Sequence, residues 1–135
     1  MHEVDLVQTL TDNVPGIDQD RLFTVIHEDA ILGYAYIGEA SSQTDTYDYL
    51  VVFDPSFGIK KAKVLVYRED YGSEIGSKRW LKQFLNKTPA DRFVYRQNIA
   101  AISGATISVK SMTNAMNNLM ISLASWQNNG TPNKA

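Results

Sequence analysis

Residues 47–69 read YDYLVVFDPSFGIKKAKVLVYRE. In the first eight, Tyr47, Tyr49, Val51 and Phe53 recur at every second position, which puts them on one face of an extended strand. PSFG (55–58) is a turn signal, with Gly58 available for a positive φ. IKKAKVLVYRE (59–69) returns as a second strand, and the pair reads as an antiparallel hairpin. Lys60, Lys61 and Lys63 make the only dense basic run in the chain, read here as the solvated edge of that strand.

Upstream, LFTVI (22–26) reads as a strand, HED (27–29) as a tight turn and ILGYAYIG (31–38) as a further strand. ASSQTDT (40–46) is a polar loop into the hairpin. Nearer the amino terminus, Val4, Val7 and Leu10 fall at helical spacing, so residues 3–13 are expected to form a short amphipathic helix. Downstream the period changes. In SEIGSKRWLKQFLNK (73–87), Ile75, Trp80, Leu81, Phe84 and Leu85 form a helical stripe closed by Pro89. Val109, Met112, Met116, Leu119, Leu123 and Trp126 then recur at steps of three and four, predicting a long helix over 107–127. The expected fold is α+β: an antiparallel sheet of about four or more strands with packed helices. We read residues 1–135 as one domain, with a core over about 22–127 and a frayed tail over 128–135.

Composition removes several classes of function. A net charge of −2 lacks the basic footprint of a nucleic-acid binder. With no cysteine there are no disulfides, thiolate metal sites or cysteine nucleophiles. Two histidines, His2 and His27, are too few for an ordinary zinc site, and no metal ligands are assigned. No apolar stretch is long enough to span a bilayer, and no signal segment is visible in the chain.

The chemistry concentrates in NIAAISGATISVKSM (98–112), where the last helix is expected to open. The first turn of a helix has N–H groups with no internal partner, and its dipole favours negative charge. Gly104 and Ala105 let an anion approach the backbone, while Ser103 and Thr106 add hydroxyls. Together they describe a phosphate seat at the helix N-terminus. A simple hydroxyl cap with small residues for packing accounts for the same pattern. The glycine spacing and Lys-Ser ending of a Walker loop are absent.

AISGATIS resembles the Ser/Thr-Gly-Ala-Thr flavinylation motif of the FMN-binding domain family. That domain is found in sodium-pumping NADH:quinone reductase, in Rnf-type electron-transport complexes and in small exported flavoproteins. The order of ILGYAY, VVFDPSFGIKKAKVLVYRE, GSEI and WLKQFLNK also resembles the family, over roughly residues 22–126. The resemblance implies an FMN cofactor attached by a phosphoester to Thr106. Ser103, Gly104 and Ala105 complete the tetrapeptide, and Ile107 and Ser108 fit its continuation. One position departs from the pattern: the aspartate usual three residues before the serine is Ala100 here, which bears on the covalent step more than on FMN binding.

For this chain the resemblance implies an electron-transfer domain rather than an enzyme, with no catalytic residues of its own. Its expected partners are a flavin transferase that uses FAD and magnesium, and membrane or extracytoplasmic redox proteins. The expected location is extracytoplasmic, membrane-associated in the full-length form. Trp80 is a candidate stacking partner for the ring, with Tyr34 and Tyr71 as similar cases, and Glu74 a candidate acceptor. Lys110 is placed to balance a phosphate. Two alternatives stay open. The same fold can hold FMN reversibly or serve as a flavin-free interaction module. An enzyme would use Ser103 or Thr106 as nucleophile with His27 as base, although Gly-x-Ser-x-Gly does not occur.

Overall fold

A computed structural model describes residues 6–9, 17, 21–68 and 73–128. Five strands run in chain order across one antiparallel sheet: β1 (Leu6–Thr9), β2 (Leu22–His27), β3 (Ala30–Ser41), β4 (Thr46–Phe53) and β5 (Ile59–Val66). The short α-helix α1 (Lys78–Leu81) lies between two 3₁₀ turns, Ser73–Gly76 and Lys82–Phe84. The long helix α2 (Thr106–Asn128) closes the described chain and packs on β3.

β4 sets the face of the sheet. Tyr47, Tyr49, Val51 and Phe53 are all buried, and the residues between them are half-buried. α2 answers with Val109, Met112, Met116, Leu119, Leu123 and Trp126, every one buried, so the two periodicities meet as one core. The β2–β3 turn fits its sequence: Glu28 and Asp29 both take positive φ (51° and 67°), as a two-residue hairpin turn with right-handed strand twist requires.

Four local expectations are corrected. Residues 6–9 form strand β1, with Leu6 opposite Ile26 and Thr9 opposite Phe23, not part of a helix; Val4 and Leu10 lie outside the described residues. An isolated helix that short is marginal in water, whereas the open edge of β2 offers a full ladder of backbone bonds. β3 extends three residues past Gly38 because Glu39, Ala40 and Ser41 pair with Asp48, Tyr47 and Thr46. The polar loop shrinks to residues 42–45.

In the β4–β5 turn the positive φ belongs to Phe57 (67°), not Gly58. The Phe57 ring is buried, stacked on Tyr34 at 4.3 Å and edge-on to Trp126 at 5.6 Å, which offsets the left-handed backbone. Gly58 instead makes room for the Asp54 carboxylate, which accepts from the N–H groups of Ser56 and Gly58, both at 2.9 Å.

Residues 73–87 are not one helix. Ser77 is extended, and its hydroxyl caps the N–H of Trp80 at 3.1 Å, so the helix restarts there and tightens into 3₁₀ after one turn. The stripe survives the break, because Ile75, Trp80, Leu81 and Phe84 are buried and Leu85 half-buried.

Candidate functional site

Residues 102–105 form the approach to α2. The Ala105 N–H donates to the Ile102 carbonyl (3.1 Å), and Gly104 has φ +82°. That is a type II turn with glycine where a positive φ is required. The Ala105 carbonyl then accepts from Val109 N–H (2.9 Å), which makes Ala105 the residue that caps the helix. Alanine has no side-chain oxygen, so neither Ser103 nor Thr106 plays the ordinary capping part. The N–H groups of Thr106, Ile107 and Ser108 come before any helical acceptor is available, at the positive end of a 23-residue helix.

An open cavity of about 360 Å³ lies against this turn, lined by Gly104 to Ser108 together with Gln43 and Tyr67. A side-chain carbon placed on Gly104 would meet nothing within 4 Å, so the backbone is open to a ligand there. Thr106 is exposed, Ala105 and Ser108 are buried, and Ile107 leaves 49% of its surface uncovered. Ser103 is exposed at the corner of the turn and does not line the cavity.

The first turn of α2 is fastened to the sheet from below. The Tyr47 hydroxyl donates to the Ser108 carbonyl (2.7 Å), and the Tyr67 and Ser108 hydroxyls share a hydrogen bond (2.9 Å). The Ser111 hydroxyl adds a bond to the Ser41 carbonyl. Burial pushes the Tyr47 phenol up to about 12. A folded-state value above the unfolded value near 10 means stability is intact below pH 10 and falls as the unfolded chain ionises first. Unfolding midpoints measured in urea should therefore drop between pH 10 and 12. Tyr47→Phe should make that drop shallower but not remove it, because burial raises the Tyr49 phenol too, and at pH 7 should cost about 1 kcal/mol for the lost bond to Ser108.

Beside Thr106 stands Tyr95, which with Arg96 the sequence did not single out, together with Lys110, which it did. Tyr95 is half-buried, and its phenol is held below the usual value first by the hydrogen bond from Arg96 and then by that with Thr106. The Arg96 guanidinium lies 5.5 Å from the centre of the Tyr95 ring, and Lys110 Nζ 5.3 Å from it. Neither cation lines the cavity at Gly104 to Ser108; Tyr95 and Lys110 line a separate hollow with Phe93 and Thr113. The helix start can receive a phosphate: backbone donors, a hydroxyl and an unobstructed glycine.

The other candidates lie elsewhere. Trp80 is 4% exposed, edge-on to Phe84 (5.4 Å), with its indole N–H on the Ala100 carbonyl (2.9 Å); the core holds it, so it offers no open face for stacking. Glu74 is exposed and pairs with Arg79 (3.6 Å), outside the cavity lining. Tyr34 is stacked on Phe57, and Tyr71 lies outside the described residues. His27 ends β2 and pairs with Glu28 (3.4 Å). The 12 residues of β3, roughly 40 Å at about 3.3 Å per residue, separate it from the end where Ser41 meets α2. A His27–Thr106 nucleophile pair is excluded. Among the described residues no group of three His, Asp or Glu side chains could hold a metal ion.

An antiparallel sheet crossed by one long helix, with an open cavity at that helix's start, makes this an α+β domain. The family model of the FMN-binding domain matches residues 43–120, more than half of the chain. The chain belongs to the FMN-binding domain family. No curated protein matches it in sequence. Among solved structures, the crystal structure of Shewanella oneidensis NqrC matches with a TM-score of 0.59 at 20% identity, over 73% of this chain and 54% of that one. The fold is shared, and this chain spans about half of NqrC's length.

Proposed function

We propose that this domain carries FMN as a phosphoester on Thr106 and relays electrons between redox proteins outside the cytoplasmic membrane. The observation that supports it best is Thr106 itself: an exposed hydroxyl on the first residue of α2, at the mouth of an open cavity and in a tetrapeptide of the family's pattern. FMN, when bound, supplies one- and two-electron chemistry at its ring.

The chain's own residues supply the rest. N–H groups of the first turn of α2 favour a phosphate monoester, and Lys110, one turn along the helix from Thr106, adds a positive charge. The bare edge of Gly104 allows close approach, and the uncovered part of Ile107 offers apolar surface at the cavity wall. An open cavity keeps a tethered group near the surface, where electrons can pass to a partner. The tether removes the need for deep burial to secure affinity, since a linked ligand sees an effective concentration of about millimolar.

A second reading, reversible FMN binding, is favoured by Ala100. That residue contributes only its backbone, the N–H to Gln83 Oε1 (2.6 Å) and the carbonyl to Trp80, so it has no carboxylate to offer a transferase. Protein made together with a flavin transferase should stay fluorescent after denaturing electrophoresis, with an intact mass raised by FMN less one water. Colour that leaves on denaturation would establish the reversible reading instead.

A further inference from the structure

The cleft between β5 and the helical segment gathers six cations from two separate stretches of chain. Lys60, Lys61 and Lys63 come from β5; Lys78, Arg79 and Lys82 come from α1 and the 3₁₀ turn after it. The cleft is open, with a volume of about 720 Å³, and the half-buried Ala62 and Leu85 give it apolar surface. All six cations are exposed. Lys60 lies 3.9 Å from Asp54 and Arg79 3.6 Å from Glu74. Lys61, Lys63, Lys78 and Lys82 have no ion pair among the described residues.

The chain as a whole has a net charge of −2, so this density of positive charge is local. Protection of an edge strand accounts for the lysines on β5. It does not account for three more cations from the helical segment. Like charges gathered along one cleft repel, and an occupant of opposite sign removes that cost. A cleft along the edge of β5, with cations on both sides and apolar surface within, suits a slender chain better than a flat bilayer surface.

We infer that this groove docks an acidic segment of a partner protein, its carboxylates pairing with the cations on both sides and an aliphatic side chain resting on the apolar surface. The groove shares no lining residue with the cavity at Thr106, so the inference stands apart from the flavin reading. It extends the sequence reading of Lys60, Lys61 and Lys63 as a solvated edge.

A fluorescein-labelled peptide of repeated Asp-Leu-Glu-Glu, titrated by anisotropy at low salt, tests this. Saturable binding is expected, with amide shifts in the ¹⁵N spectrum centred on residues 60–63 and 78–82. Affinity should fall at least about tenfold in the Lys61→Glu, Lys78→Glu, Lys82→Glu triple variant, and also fall as salt rises. The matching triple Gln variant should lose less, and it keeps the test valid if the Glu variant folds poorly. Undiminished binding by the variants, shifts centred elsewhere, or no binding at all would overturn the inference. So would sedimentation with phosphatidylglycerol vesicles in the absence of peptide binding, which would make the groove a membrane contact.

Discussion

Thr106→Ala, made together with a flavin transferase, should run on a denaturing gel with no flavin fluorescence and show the unmodified mass. Only an oxygen at that position can form the ester. The change takes away one exposed hydroxyl and leaves the first turn of α2 intact, since Ala105 and not Thr106 caps the helix. Alanine is also the strongest helix former, so thermal unfolding should stay within about 0.5 kcal/mol of the parent. Ser103→Ala should behave differently. Ser103 is the first central residue of the turn and lies outside the cavity lining, so its loss should lower the yield of adduct without abolishing it. Fluorescence surviving in Thr106→Ala would move the attachment to another hydroxyl, with Ser103 the first to examine.

The site was legible where its chemistry is local and obscure where it is tertiary. Ser103 to Ser108 are contiguous, and small residues before a helical stripe announce an open N-terminus. Tyr67 and Gln43 reach the same cavity from β5's end and the β3–β4 loop, across 41 positions in the case of the Tyr67–Ser108 bond. No short-range pattern carries that information. Tyr95 sits in a connection with no periodicity, and Arg96 beside it has a positive φ (67°) unmarked by glycine.

β4 was readable because one buried face imposes a period of two, and β2, β3 and β5 because runs of branched and aromatic residues stand between turn signals. β1 was not, because three apolar residues at helical spacing fit an edge strand about as well, and pairing with β2 decides the matter. Trp80 belonged to a stripe that packs inward whether or not the helix is continuous. Its burial follows from the stripe, and so does its unavailability to a ligand.

Phe84→Ala is expected to be the most destabilising of the substitutions considered, at about 3–5 kcal/mol. Phe84 is fully buried, with Trp80 edge-on at 5.4 Å and Phe93 edge-on at 4.9 Å. The surrounding segment consists of a four-residue helix and two 3₁₀ turns, too short to hold shape by backbone bonds alone, so aromatic packing fixes it. Loosening it should be felt at a distance. Trp80 and Gln83 bond the carbonyl and N–H of Ala100, and this brace sets the path of the chain into the turn before α2. The same segment forms one wall of the lysine groove. Urea unfolding should show the midpoint falling with the slope unchanged, and the variant should take up less flavin than the parent. Leu85→Ala, at a half-buried neighbour, should cost clearly less. If the two variants proved equally stable, the aromatic cluster would not be what holds this segment, and the brace to Ala100 would have to carry the load alone.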